Sequence, residues 1–213
     1  MFYKDYQTAR NAVWKLLIDL KIGALPVRVS EVSRALGIEV RTIEELAPAQ
    51  HRQNLAGRNT IDGGARLVAG QPVILYNALN TPARCRFTIA HELGHFILGH
   101  VERAPDLAIQ TPVLFRRGGV PESPVETAAN VFAARLLAPA CVLWGLGVKD
   151  ARHLARVCDI SREAAAYRME RMRLLYRRDR EFLKNRGYSC FLLARQEQQV
   201  YEQFRPFIER ERL

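Results

Sequence analysis

The middle of the chain carries two histidines four residues apart, His91 and His95, with Glu92 directly after the first. Residues four apart lie on one face of an α-helix, so both imidazoles can bind a single metal ion. Glu92 projects from the neighbouring position, where its carboxylate can reach a water held by the metal without being a ligand. This H-E-x-x-H arrangement is typical of zinc-dependent peptidases.

Three fixed letters also occur by chance, and the alternative is an ordinary buried helix that happens to carry two histidines. The flanking residues favour a helix packed in a core, because apolar side chains recur at helical spacing: Phe87, Ala90, Leu93, Ile97 and Leu98. Thr81 or Asn80 can cap this helix before Pro82, and Gly99 can end it. The pattern therefore predicts a helix over about residues 82–98.

A catalytic zinc site usually has three protein ligands, so a third is expected downstream. His100 does not fit the metzincin pattern H-E-x-x-H-x-x-G-x-x-H, because its glycine and last histidine fall at other offsets. We interpret His100 as a neighbour of the ligands or a surface residue, with direct ligation as the less favoured alternative.

Glu126 is the better third ligand, because it opens a predicted helix that Pro139 closes. Small residues such as Ala129, one turn further on, let this helix lie close to the motif helix. Glu126 would then complete a His-His-Glu site of the thermolysin type. The alternative is that its charge only favours the helix N-terminus.

Three segments resemble the ImmA/IrrE family of metallopeptidases. They are the run Arg86–His95, the segment Glu126–Pro139 with the pattern E-x-x-A-N-x-F-A-x-x-L-L-x-P, and the block Leu154–Met169. The resemblance covers about residues 10–175, and Ile160 stands where the family usually has valine. The tail beyond this region matches no part of the family pattern.

The resemblance implies a zincin-like fold with His91, His95 and Glu126 as metal ligands and Glu92 as the catalytic acid/base. The metal would be Zn²⁺, with Mn²⁺ as the alternative. Family members are commonly encoded by bacteria or mobile elements, and characterised ones relieve repression by cleaving or inactivating a helix-turn-helix repressor. The expected substrate is therefore a specific intracellular regulatory protein of that kind.

The order of predicted elements indicates an α+β protein: a mainly helical zincin-like metallopeptidase core with a small β-sheet beside the H-E-x-x-H helix. Residues 38–43 predict a strand. Arg66–Ala69 and Pro72–Tyr76 predict a hairpin about a turn at Gly70-Gln71. We interpret the strand Val73–Tyr76 as an edge that can pair with an extended substrate.

Two further segments carry expectations of their own. The proline- and glycine-rich stretch Val101–Val125 borders the site and predicts a lid or substrate-selecting loop. Residues 149–157 and 161–176 predict two helices that resemble a helix-turn-helix, with Arg162, Arg168 and Arg171 exposed on the second. We place the core at residues 1–145 and a basic helical extension at residues 146–213.

Composition suggests a cytoplasmic protein. The four cysteines show no C-x-x-C spacing, the N-terminus has no apolar signal-peptide core, and no stretch of 18 apolar residues predicts a membrane span.

The net charge is +10, and residues 151–213 hold fifteen Lys/Arg against nine Asp/Glu. A solvated arginine-rich helix is the favoured interpretation, because no aromatic-glycine motif of nucleic-acid binding accompanies the basic run. Binding of nucleic acid or of an acidic partner through this basic C-terminal region stays open.

Two classes of function follow from these patterns. The first is a zinc metalloendopeptidase that cleaves a helix-turn-helix repressor. The second is a non-proteolytic regulator, or a component of a toxin module, that acts by binding a repressor or DNA.

Overall fold

A computed structural model describes residues 3–46, 62–103, 109–110 and 123–212. In these residues the helices are α1 Tyr3–Asp19, α2 Val29–Ala35, α3 Ile43–Leu46, α4 Pro82–Ile97, α5 His100–Arg103, α6 Pro124–Leu137, α7 Ala140–Gly145, α8 Ala151–Cys158, α9 Arg162–Arg186 and α10 Arg195–Arg212. The strands are β1 Glu39–Thr42, β2 Gly63–Val68, β3 Gln71–Tyr76 and β4 Ile109–Gln110. The mainly helical α+β class is confirmed.

The strands form one sheet in the order β1-β3-β2-β4. β3 pairs in parallel with β1 on one side and antiparallel with β2 on the other, and β4 adds to β2. The predicted edge strand Val73–Tyr76 is therefore wrong, because both sides of β3 already hold a neighbour. The parallel partner comes from more than thirty residues upstream, a pairing that hydrophobic alternation within β3 does not reveal.

The hairpin between β2 and β3 is present, but its turn lies one residue earlier than predicted. Val68 faces Gln71, so Ala69 and Gly70 make the turn. Both have positive φ, 50° and 78°, as the common two-residue hairpin turn requires. Alanine rarely takes this conformation, which is why sequence reasoning shifted the turn onto the glycine and its successor.

Helix α4 begins and ends as its sequence predicts. The side chain of Thr81 accepts a hydrogen bond from the backbone N–H of Arg84, and Pro82 is the first helical residue. After the helix, Gly99 takes a positive φ of 69°. Residues Thr88–His95 are all buried, so α4 is the core helix of its part of the chain and lies against β2, β3 and α2.

An ion pair joins the start of α4 to the start of β2. The guanidinium of Arg84 donates from Nε to Oδ1 of Asp62 at 2.9 Å and from Nη2 to Oδ2 at 2.6 Å. The side chain of Asp62 is only 6% exposed and that of Arg84 is 40% exposed, so the carboxylate of this two-pronged contact is shielded from water while the arginine is partly solvated. It fixes the strand whose first residue, Gly63, lies against Thr88 and Glu92 of α4.

The chain divides into two compact units. The first contains Met1–Ala9 and Arg28–Ala133, and the second contains Arg10–Val27 and Ala134–Leu213. The first holds the sheet, α4 and the beginning of α6. The two units are defined by which residues lie close together in space and not by what those residues do. The functional division into a core at 1–145 and an extension at 146–213 therefore stays a prediction. The predicted lid Val101–Val125 lies mostly outside the described residues.

Within the second unit, α8 and α9 form the predicted helix pair. Ser161 caps α9 by accepting a hydrogen bond from the N–H of Ala164, and α9 continues to Arg186. Arg168 was predicted to be exposed, which is wrong. Its guanidinium is buried and donates from Nε and Nη2 to the carbonyl oxygen of Ala138 at 3.0 and 2.6 Å, because α9 packs this face inward.

In the part of the chain that the structure describes, one segment, Pro124–Gly145, is long and apolar enough by composition to cross a membrane. Its mean hydropathy reaches 1.4, but 67% of the window is buried inside the protein, as in a core helix. Pro139 also separates α6 from α7. Pro124–Gly145 is therefore only weak evidence for a membrane-spanning helix.

We predict that Gly63→Ala lowers the free energy of unfolding by about 1–3 kcal/mol, the usual effect of overpacking. A Cβ at this position would lie 2.3 Å from Cγ2 of Thr88 and 2.6 Å from the carbonyl oxygen of Leu75. Denaturant unfolding measures the change. Arg66→Ala, at an exposed position of the same strand, is the control and should stay within about 0.5 kcal/mol. Equal stability of both variants would contradict the close approach.

Candidate metal centre

The two histidines of α4 face a glutamate from α6. His91 and His95 are 1% and 0% exposed, and their Nε2 atoms lie 2.9 Å apart. Oε2 of Glu126 is 3.1 Å from Nε2 of His91, and Oε1 is 3.5 Å from Nε2 of His95. The structure therefore brings together the three side chains that the sequence singled out, and their ligand atoms all lie within 4.8 Å of one another.

The spacing of these atoms fits a small divalent cation. Two ligand atoms at about 2.0–2.1 Å from a tetrahedral zinc stand about 3.3 Å apart. The observed separations between ligand atoms, 2.9, 3.1 and 3.5 Å, lie below and above that value. Two imidazole nitrogens and one carboxylate oxygen are also a donor set that zinc accepts. Without a cation, three lone-pair-bearing atoms would face one another in a buried space.

Small residues let α6 approach α4 closely enough for this arrangement. A Cβ on Gly94 would lie 3.0 Å from Cδ1 of Phe132, so the ring of Phe132 occupies the space that any larger residue would need. Ala129 and Ala133 of α6 are fully buried. The close helix packing places the first turn of α6, and with it Glu126, over the two imidazoles.

Each imidazole has a second partner on its far nitrogen. Nδ1 of His91 lies 2.7 Å from Oδ1 of Asn130, and Nδ1 of His95 lies 3.1 Å from Nδ1 of His100. An amide oxygen only accepts hydrogen bonds, so Nδ1 of His91 carries the proton and Nε2 keeps its lone pair. When Nδ1 of His95 donates to His100 in the same way, both Nε2 atoms are free to bind a metal.

Glu92 is buried beside this cluster without a hydrogen-bond partner. It is 0% exposed, and neither carboxylate oxygen has a partner among the described residues. Burial, followed by the negative charge of Glu126, raises the pKa of Glu92 well above its usual range. An unpaired buried carboxyl group is costly, and such groups occur where a proton must be taken up or released.

The charges of the cluster are arranged to hold a cation. Burial alone would raise the pKa of Glu126, but its contacts with Nε2 of His91 and of His95, which donate only when these atoms carry a proton, outweigh burial and lower that pKa to about 2. Burial lowers the pKa of His95, and its contact with Glu126 offsets this only in part. Both shifts favour an ionised carboxylate beside a neutral imidazole, which is the protonation state that metal binding requires.

Asn130 is the asparagine of the E-x-x-A-N pattern that begins at Glu126, but the sequence alone assigns it no role. The signal was present, since Asn130 follows Glu126 by four residues, the same spacing that aligns the two histidines. The structure also puts His100 beside His95 rather than among the converging ligand atoms.

Comparison with known proteins identifies the family of the chain. Residues 35–170 match the family model described as the IrrE N-terminal-like domain, which covers more than half of the chain. The chain therefore belongs to the ImmA/IrrE family of metallopeptidases.

Among curated proteins, the chain is 34% identical over 157 residues to the radiation response metalloprotease IrrE of Deinococcus deserti. The alignment covers 62% of this chain and 54% of that protein. The chain thus spans about half the length of this relative.

We predict that Asn130→Ala weakens zinc binding about 10- to 100-fold, the usual effect of removing the partner that orients a ligand histidine. Competition with a chromophoric chelator measures the affinity. Asn185→Ala, the same change at an exposed position of α9, is the matched control and should bind zinc as the unaltered protein does. Equal affinity in the Asn130 variant would mean that the amide does not orient His91.

Proposed function

We propose that the protein is a zinc-dependent metalloendopeptidase in which His91, His95 and Glu126 bind the metal and Glu92 is the catalytic acid/base. The observation that carries this proposal is the convergence of three ligand atoms beside a buried carboxyl group without a partner. A merely structural zinc site would be closed by a fourth protein ligand. Here the three groups come from two helices only, and no fourth ligand stands among the described residues.

Different residues of the chain have different roles in peptide hydrolysis. A bound zinc ion would supply Lewis acidity, which polarises a substrate carbonyl and acidifies water. Glu92 accepts the proton of the attacking water and later delivers it to the leaving amine. Its raised pKa suits both roles, because the group must hold the proton between the two steps. Asn130 and His100 hold the two imidazoles in place.

The substrate that we propose is a specific intracellular regulatory protein, namely a helix-turn-helix repressor. The support is the family resemblance of the H-E-x-x-H and Glu126 segments together with the family match. No disulfide joins any of the four cysteines, all of which lie within the described residues, and this agrees with a reducing cytoplasm. We propose zinc as the metal, with manganese as the alternative.

We predict that Glu92→Gln keeps the metal and lowers peptidase activity by about 10²- to 10⁴-fold, because an amide cannot accept the proton. The assay is cleavage of a candidate helix-turn-helix repressor from the same organism, followed by mass spectrometry, with metal content measured on the same sample. Glu170→Gln, at an exposed position of α9, is the matched control and should retain full activity. Full cleavage by the Glu92 variant would exclude the proposed role of Glu92.

The same variant separates the two classes of function. A regulator or toxin-module component that acts only by binding a repressor or DNA would release repression equally well with glutamine at position 92. A peptidase would lose repressor release together with cleavage. The reporter gene controlled by that repressor therefore gives the second readout.

We further predict that His95→Ala abolishes stoichiometric metal binding, because a two-ligand site holds zinc far more weakly. A chelator should likewise remove activity from the unaltered protein, and added zinc should restore it. Metal analysis by mass spectrometry after gel filtration measures the first effect. His153→Ala, which removes a histidine of α8 that is not among the converging ligands, is the control and should keep one metal per chain.

A further inference from the structure

A row of cations lines an open groove in the second unit. Arg173, Arg177 and Arg180 of α9 form one wall, and Lys149, just before α8, contributes to the same groove. The three arginines are spaced by four and three residues, so they lie one helical turn apart along a single face. The groove encloses about 670 Å³.

No carboxylate within the described residues lies within 4 Å of any of these four cationic groups, and all four residues are exposed. One acidic residue, Asp179, also lines the groove. Its side chain is buried, and Oδ1 accepts hydrogen bonds from Oγ of Ser189 at 2.5 Å and from the N–H of Cys190 at 2.7 Å. The carboxylate of Asp179 therefore binds the loop before α10.

The surrounding sequence concentrates positive charge. Residues 168–186 hold eight Lys/Arg against three Asp/Glu, a net +5 that is half of the net +10 of the whole chain. Like charges on one helix face repel and lower the stability of that helix. Four clustered cations without a carboxylate partner therefore indicate a surface that binds an anion with several charges.

We propose that this groove binds the phosphate backbone of duplex DNA. Guanidinium groups make two-pronged hydrogen bonds to phosphate oxygens. From Arg173 to Arg180, seven residues further on, the helix rises about 10 Å, and over this length of the DNA axis one strand presents about three phosphates. A row of arginines thus matches a polymer whose charges repeat at a regular spacing. This proposal does not depend on the peptidase activity.

The rest of the groove favours a duplex over a single strand. Met169 and Tyr176 lie in its lining, and the hydroxyl of Tyr176 donates inward to the carbonyl oxygen of Val148 at 2.9 Å. Single-strand sites use exposed aromatic rings on which bases stack. The exposed tyrosines of α9 and its following loop, Tyr167 and Tyr188, are not among the groove residues. The contacts available are with backbone phosphates, which fix position without reading sequence.

The test is fluorescence anisotropy of a labelled duplex of about 20 base pairs with the full chain at low salt. The Arg173→Glu/Arg177→Glu variant should bind at least about tenfold more weakly and reduce the slope of log K against log salt by about 2, since each phosphate contact contributes about 0.9. Arg156→Glu/Arg162→Glu changes the charge equally on the exposed face of the α8–α9 pair. This control should bind within about threefold of the unaltered protein.

Circular dichroism and metal content confirm folding of each variant, and Arg173→Gln/Arg177→Gln gives a milder second test in the same direction. Absence of duplex binding by the unaltered protein at low salt would overturn the proposal. An equal loss of duplex affinity in the Arg156→Glu/Arg162→Glu control would contradict the proposal, because binding would then depend on overall charge or on the α8–α9 face. Tighter binding of a single strand of the same length, or of polyglutamate through the same arginines, would assign the groove to a different partner.

Discussion

The close packing of α4 against α6 is the constraint on which the metal centre depends. Gly94 leaves room for the ring of Phe132, and a Cβ there would already crowd that ring at 3.0 Å. With the helices at this separation, Glu126 reaches both imidazoles, whose Nε2 atoms point at the same small space. A larger residue at position 94 would move the carboxylate and the imidazoles apart, because protein cores do not compress.

The same buried setting explains how one centre can hold two glutamates with different roles. Glu126 lies against the Nε2 atoms of two histidines, which lower its pKa to about 2 when they are protonated, so it stays ionised. Glu92 receives none, and burial raises its pKa. When the surroundings push the pKa values of two neighbouring carboxyl groups apart, the two groups can take different roles. Here the group with the lowered pKa can serve as a charged ligand, and the group with the raised pKa can carry a proton. The backbone of β2 at Gly63, held by Asp62 and Arg84, closes the space behind Glu92.

Much of α4 and of the metal centre could be predicted from the sequence, because the sequence signals for them are local. Periodicity, the cap at Thr81 and the glycine at position 99 define α4, and helical spacing aligns His91 with His95. Apart from the hairpin turn, which the positive φ of Ala69 places one residue earlier, the predictions that failed depend on residues far apart in the chain. β3 is an interior strand because β1 pairs with it from a distant segment, and Arg168 is buried because α9 turns that face towards the carbonyl oxygen of Ala138. The contacts of Asn130 and His100 with the far sides of the imidazoles likewise exist only after α6 and α5 have packed.

The most direct measurement of the central claim is X-ray absorption at the zinc edge of the metal-loaded protein, compared with the Glu126→Ala variant. The account predicts two imidazoles and oxygen ligands at about 2.0–2.1 Å, with fewer protein oxygens or no bound zinc in the variant. Sulfur at about 2.3 Å, a single imidazole, or a spectrum that the loss of Glu126 leaves unchanged would contradict it.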